Sequence, residues 1–424
     1  MITKSKFLVA LFFLGIFSSQ NSHSQKDYAK KIMDTLCSEH FDGRGYVNKG
    51  DVRSADFLID ELERIGVQHF KKYSYQQPYT LNVNTFPYPI YVVLGEDTLI
   101  PGENYLLDPS SGTAQGEFEV VEINSTNFFS TYGGKISFKT QEAGQKIYAL
   151  NFTDVNDKEK LKEIRAYATD AMNYFPAIWV SRDKKMYSVG RSQKNYPLIV
   201  IDSASYKTVN IASLKINNQY IPKYETKNVI GYIPGKKKKE YVVFSAHYDH
   251  LGRMGSDTYF PGANDNASGC AMLLSLANYY MKNPPEYSIV FCFFSGEEAG
   301  LEGSRHFVSH PFFKMKKIKF VLNIDIMGAA DKGITIVNAT KHEEEFNRFV
   351  EINNEKKYLP EIKKRGPTSN SDHYFFSEAG VPAFFIYSMG SVTNYHDVFD
   401  MAENTPLHKF DEVQNLLIDF VNGL

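Results

Sequence analysis

From Thr226 to the end of the chain, short apolar runs alternate with segments of helical period, and no other feature constrains the fold as much. The runs 228–233, 241–246, 287–294, 320–324, 334–337 and 383–387 are strand-like and almost continuously apolar. Helical stretches fall between or after them at 267–281, 342–354, 372–379 and 407–421. Strands buried on both faces and separated by helices predict an α/β fold, a doubly wound and mainly parallel sheet with helices on both faces. In such sheets ligands gather where loops leave the carboxyl ends of the strands.

Those exits carry the candidate chemistry. His247 follows the run 241–246, and Asp249 is placed to accept the imidazole's other N–H and fix its tautomer. Asp265 lies in the small-residue loop 262–269, where the backbone allows close approach. Read alone, Asp265, Asn266 or Ser268 serves equally as a helix N-cap. Glu297 and Glu298 follow the run 287–294 as adjacent carboxylates pointing different ways, one toward metal and one toward substrate. Asp325 ends the run 320–324, where a charge is costly without a partner. Tyr395 and His396 lie beyond 383–387, with Asp397 and Asp400 close by, whereas His250 reads as a loop residue. Each signal is weak singly, since a His-x-Asp pair is more often structural. Together, two imidazoles, three carboxylate ligands and a spare Glu suit two zinc ions roughly 3.5–4 Å apart around a shared water or hydroxide.

A chain of 424 residues has room for a catalytic domain and a second unit. Between 75 and 223 the pattern changes to short aromatic and β-branched runs, such as 91–94, 117–122, 146–152 and 198–202, with one helical stretch at 158–172. This predicts a discontinuous catalytic domain over 25–74 and 224–424, interrupted by a β-rich insert over 75–223. In the first segment, Asp51 caps a helix that ends at Gly66. A net charge of -2 leaves no electrostatic footprint for nucleic acid or an anionic membrane, so the expected partner is a small or peptidic substrate. Lys4, Lys6, the apolar run 7–17 and Ser22-His23-Ser24 read as a signal peptide over 1–24, which predicts export to the periplasm or the extracellular space. That run is about half the ~20 residues needed to cross a bilayer, and no other segment qualifies. Three cysteines give no disulfide framework, and buried free thiols are expected, with a Cys270 to Cys292 bridge left open. Oligomeric state is not legible at this stage.

Beyond the candidate ligands the chain carries Phe41-Asp42-Gly43-Arg44, Asn228-Val229-Ile230-Gly231, the glycine-rich stretch 296–304, and Ser371-Asp372-His373 ahead of Gly380-Val381-Pro382. On these motifs it resembles the co-catalytic zinc exopeptidases, the family of aminopeptidase Y, glutamate carboxypeptidase, glutaminyl cyclase and the transferrin receptor, and it is most similar to the aminopeptidases. The resemblance implies that His247 and Asp325 hold one zinc ion, Glu298 and His396 the other, and that Asp265 bridges them. It further implies Glu297 as general base, a cis peptide between Asp265 and Asn266, and Tyr395 as a hydroxyl stabilising the tetrahedral intermediate. The implied activity is removal of N-terminal residues from peptides with two zinc ions per chain. The alternatives are a glutamate-releasing carboxypeptidase, for which Arg253, Arg305 and Arg365 are candidate carboxylate binders, then a glutaminyl cyclase, then a non-catalytic binding protein. The insert occupies the place where many members carry a protease-associated domain.

Overall fold

The computed structural model describes residues 17–140 and 144–424. Most of the expected leader lies outside these residues, and the helix Phe17–Leu36 begins within it. Among the described residues no helix is long and apolar enough to cross a membrane.

The alternating half of the chain, joined by Gln76–Thr85 from the stretch expected to belong to the insert, builds an eight-stranded sheet whose centre is parallel. Its four central strands run Tyr287–Phe294, Lys237–His247, Ile318–Ile324 and Ala383–Met389, each parallel to the next. Side chains on a strand alternate between faces, and here both faces are dry. Val242, Phe244 and Ala246 enter one apolar layer with the helices Gly50–Ile65, Ser268–Lys282 and Phe410–Asn422. Val243, Val290 and Phe294 enter the other with Phe307 and Phe376, from the helices Glu302–Ser309 and His373–Glu378. The strand Gly333–Val337 departs from the expected alternation, because it lies antiparallel to Ala383–Met389. A run apolar at every position satisfies a two-sided sheet in either direction, so its pattern carries no polarity.

On the other flank, Gln76–Thr85 and Gln219–Ile233 pair as antiparallel arms, with Thr85 opposite Gln219. Between these arms the chain forms a second eight-stranded sheet. The strands Ala114–Asn124, Lys146–Asn151, Ala177–Ser181 and Leu198–Asp202 run parallel within it, and the helix Lys158–Ala171 buries Ile164, Ala168 and Ala171 against one face. The two sheets share apolar contacts, since Leu251, Met254 and Phe260 sit in the second sheet's core and Tyr187 stacks on Phe260 at 4.8 Å.

The helix expected after Asp51 spans Gly50–Ile65 and ends on Gly66 at φ +92°, a left-handed position that favours glycine. Lys49 is the N-cap, and Asp51 is instead buried in the first turn, accepting hydrogen bonds from the hydroxyls of Tyr224 and Thr226 at 2.6 and 2.8 Å. All three cysteines are buried and free, so there is no Cys270 to Cys292 bridge.

Candidate metal centre

His247 is the last residue of its strand, and Asp325 directly follows Ile318–Ile324, so neighbouring parallel strands place both at one end of the sheet. Asp265 lies in the turn Ala263–Ala267, whose Asp265 to Asn266 peptide is cis, immediately before the helix Ser268–Lys282. Glu297 and Glu298 leave the end of Tyr287–Phe294, and His396 comes from the loop after Ala383–Met389.

These exits converge. His247 Nε2 lies 3.1 Å from Asp265 Oδ1 and 3.3 Å from Asp325 Oδ1, and His396 Nε2 lies 3.2 Å from both Asp265 Oδ2 and Glu298 Oε2. Asp265 thus faces one imidazole with each of its oxygens. The opposite nitrogens face carbonyls: His247 Nδ1 is 3.0 Å from the Asp249 carbonyl oxygen, and His396 Nδ1 is 2.8 Å from that of Tyr187. A carbonyl only accepts, so each Nδ1 carries the proton and, in the neutral ring, each Nε2 presents a lone pair to carboxylate oxygens. With neutral rings, lone pairs face carboxylate oxygens in a buried pocket, and a cation between them, or a second proton on each ring, relieves the repulsion. Ligands at about 2.0–2.1 Å from a tetrahedral ion stand roughly 3.3 Å apart, which matches the spacing found. Asp325 Oδ1 is buried with no hydrogen-bond partner among the described residues, as a ligand oxygen would be. The donor set therefore fits zinc.

The electrostatics show the same demand for positive charge. Burial opposes a charged His396, yet Glu298 and Asp265 push its pKa up to about 11. Burial likewise opposes a charged Glu298, yet His396 and His250 help hold it down to about 2. Glu297 differs: burial raises it well above the ordinary carboxyl range, and His247 only partly offsets this. It is the acid in the cluster whose surroundings most favour holding a proton.

Several neighbouring residues support the cluster. Asp249 meets His247 through its main chain, while its carboxylate oxygens lie 3.8 Å or more from Nδ1 and accept the Glu297 and Glu298 amides at 3.2 and 3.4 Å and the Tyr46 hydroxyl at 2.8 Å. Its carboxylate thereby positions the Glu297-Glu298 backbone. His250, read from sequence as a loop residue, is buried with Nδ1 2.8 Å from Glu298 Oε1. Ser371 donates to Asp325 Oδ2 at 3.0 Å and accepts from Asn323 at 2.7 Å, and Asp400 accepts the amides of Asn264 and Asp265. Arg44, 0 % exposed, donates to the carbonyls of Tyr248, Pro261, Gly262 and Asp265 and so ties the loop bearing Asp265 to the loop after His247.

The second sheet reaches this centre through a strap at 184–187. Besides orienting His396, Tyr187 donates its amide to the His396 carbonyl at 3.0 Å, and Lys184 bonds the Thr393 carbonyl at 3.2 Å and Asp397 at 2.8 Å. Tyr395 stacks on His396 with centroids 4.0 Å apart and is 38 % exposed, so it lies beside the cluster at its open side.

Residues 228–421 match the family model described as peptidase family M28. Among curated proteins, aminopeptidase YwaD of Bacillus subtilis is 27 % identical over 238 residues, 54 % of this chain and 49 % of that protein. A vacuolar membrane protease of Eremothecium gossypii is 34 % identical over 112 residues, 26 % of this chain and 10 % of that protein. The chain thus spans no more than a quarter of the vacuolar membrane proteases that lead its curated matches. The solved zinc aminopeptidase BSAP of Bacillus subtilis superposes with a TM-score of 0.68 at 18 % identity, covering 94 % of each chain, which establishes the shared fold. These matches correct one expectation. The periplasmic or extracellular location does not stand, because the relatives include vacuolar membrane proteases, named for neither place. An apolar run behind lysines, even where it is a signal, does not name the compartment in which the route ends.

Proposed function

We propose that this chain, whose residues 228–421 match the model of peptidase family M28, is a zinc aminopeptidase, removing N-terminal residues from peptides at a dinuclear site. One observation carries this reading: two imidazoles with protonated Nδ1 atoms turn their Nε2 atoms on the carboxylates of Asp265, Asp325 and Glu298, with Asp265 shared between them. His247 and Asp325 would hold one ion, Glu298 and His396 the other, and Asp265 would bridge. When bound, the ions polarise the scissile carbonyl and make water acidic enough to attack it near neutral pH.

The remaining steps belong to the chain's own residues. Glu297, fixed through its amide by Asp249, takes the proton of the attacking water and passes it to the departing amine nitrogen. Tyr395, stacked on His396, would donate its hydroxyl hydrogen to the oxygen that gains charge in the tetrahedral intermediate. A substrate's protonated α-amine is drawn to the acidic cluster, which favours cleavage at the first peptide bond. The carboxypeptidase alternative is weakened because two of its candidate cations are engaged: Arg253 is buried against Asp42 at 2.7 Å, and Arg305 pairs with Glu302.

The test is metal content by mass spectrometry together with release of aminoacyl chromophores, for the native protein and Glu297→Ala. Two zinc ions in both, with release abolished only in the variant, is the expected result. One ion per chain, or a variant that retains activity, overturns the assignment.

A further inference from the structure

The second sheet carries a cleft of its own, about 850 Å³ in volume, away from the metal ligands. It lies where Phe152 and Thr153 follow the strand Lys146–Asn151, and Arg182 and Asp183 follow Ala177–Ser181. These are carboxyl ends of adjacent parallel strands, the position at which open α/β sheets take their ligands. The volume falls within the range of about 300–1,000 Å³ that small-molecule sites occupy.

The lining is cationic on a chain whose net charge is -2. Lys158, Lys162 and Arg165 come from the helix Lys158–Ala171, and Arg182, Lys184 and Lys185 from the segment beyond Ala177–Ser181, against only Asp108 and Asp183. Lys184 and Lys185 are neutralised by Asp397 and Asp202. Among the described residues Lys158, Lys162 and Arg182 make no ion pair, and Arg165 feels Asp108 and Asp183 without an ion-pair contact to either. Arg182 is held by neutral acceptors, the Asn156 side chain at 3.2 Å and the Val155 carbonyl at 2.7 Å, so it is oriented without being paired. Arg165 lies over the Trp179 ring at 5.4 Å, and burial works against its charge. Oriented, unpaired cations over an aromatic floor are a receptor for an anion carrying apolar surface.

We propose that this cleft binds a carboxylate-bearing peptide segment. The cations come from two separate elements, which suits several carboxylates spaced along a chain better than one compact anion. Lys184 lines the cleft and also bonds the loop of His396, so cleft and metal centre share a wall. Resting on the aminopeptidase reading, acidic residues downstream of a substrate's first bond would be held here while its amine faces Asp265 and Glu298.

Trp179 is the one tryptophan of the chain, so its fluorescence reports this cleft alone. The full protein is titrated with N-acetyl-tetraglutamate amide, which is blocked against aminopeptidase action, and with its tetraglutamine counterpart. A saturable change with the glutamate peptide only is expected, with its midpoint raised at least about tenfold in Arg165→Gln and in the exposed double variant Lys162→Gln/Arg182→Gln. Chromophore release stays unchanged in these variants, while KM rises severalfold for peptides with acidic tails and not for neutral ones. No saturable change, or equal midpoints in the native protein and the exposed double variant, overturns the proposal. A saturating titration in a protein that releases no chromophore upholds the cleft and sinks the aminopeptidase reading instead.

Discussion

Replacing Arg44 by Met keeps most of the side-chain volume and removes every donor. The guanidinium donates to five carbonyl oxygens, four of them at 2.9 Å (Tyr248), 2.5 Å (Pro261), 2.7 Å (Gly262) and 3.2 Å (Asp265) and the fifth, of Leu36, at 3.4 Å, in a position that is 0 % exposed. Each carbonyl left buried without a donor costs ~1–3 kcal/mol, so the lower end for the four nearer ones is about 4 kcal/mol. Relief from burying a guanidinium offsets part of this. The expected net loss is therefore roughly 3–5 kcal/mol, the scale seen when a buried charge loses its partner. Against a total stability of ~5–15 kcal/mol that is a large fraction. Because two of these carbonyls belong to Gly262 and Asp265, the same change should loosen the shared ligand and lower zinc content. The measurement pairs urea unfolding by circular dichroism with zinc analysis of the folded fraction. Arg44→Lys, with one ammonium in place of a five-donor fork, should recover only part of the loss. If Arg44→Met unfolds within about 1 kcal/mol of the native protein and keeps its zinc, the carbonyl cage does not do what its geometry says.

Two further outcomes are expected. Ser371→Ala removes the hydrogen bond at 3.0 Å to Asp325 and should weaken zinc binding by ~10-fold or more in a chelator competition, as loss of a ligand's orienting partner does; unaltered affinity would refute the role. Burial raises Asp51 from 3.8 to about 7, over the hydrogen bonds from Tyr224 and Thr226 that favour its charge, so between pH 4 and 7 the folded chain binds the extra proton. Its contribution is full below about pH 4 and is lost as pH rises through 7, by roughly 4 kcal/mol in all; Asp51→Asn should flatten a curve of melting temperature against pH, and parallel curves would refute this.

The parts of this structure that sequence foretells are those where position along the chain sets position in space. Once the runs 241–246, 287–294 and 320–324 are read as parallel strands, His247, Glu298 and Asp325 must emerge at one end of one sheet, and they do. What stayed hidden depends on contacts between distant segments. His250 looks like any loop residue until the chain brings Glu298 to its Nδ1. The partner of His396 is a main-chain carbonyl at Tyr187, and since every residue has a carbonyl, no residue type could mark it. Asp249 accepts the His247 Nδ1 proton through its main-chain carbonyl, which residue type cannot mark, while its side chain takes the amides of Glu297 and Glu298.

The placement of Thr85 opposite Gln219 makes the whole second sheet, topologically, the loop of one hairpin. A tight turn of about two residues can join such arms, so the unit between them can be cut out of the gene without breaking a strand of the first sheet. Such a shortened chain would keep the side chains of His247, Asp265, Glu298, Asp325 and His396 and lose the carbonyl that aims His396, becoming a measure of how far a site of this kind can borrow its geometry from a removable module.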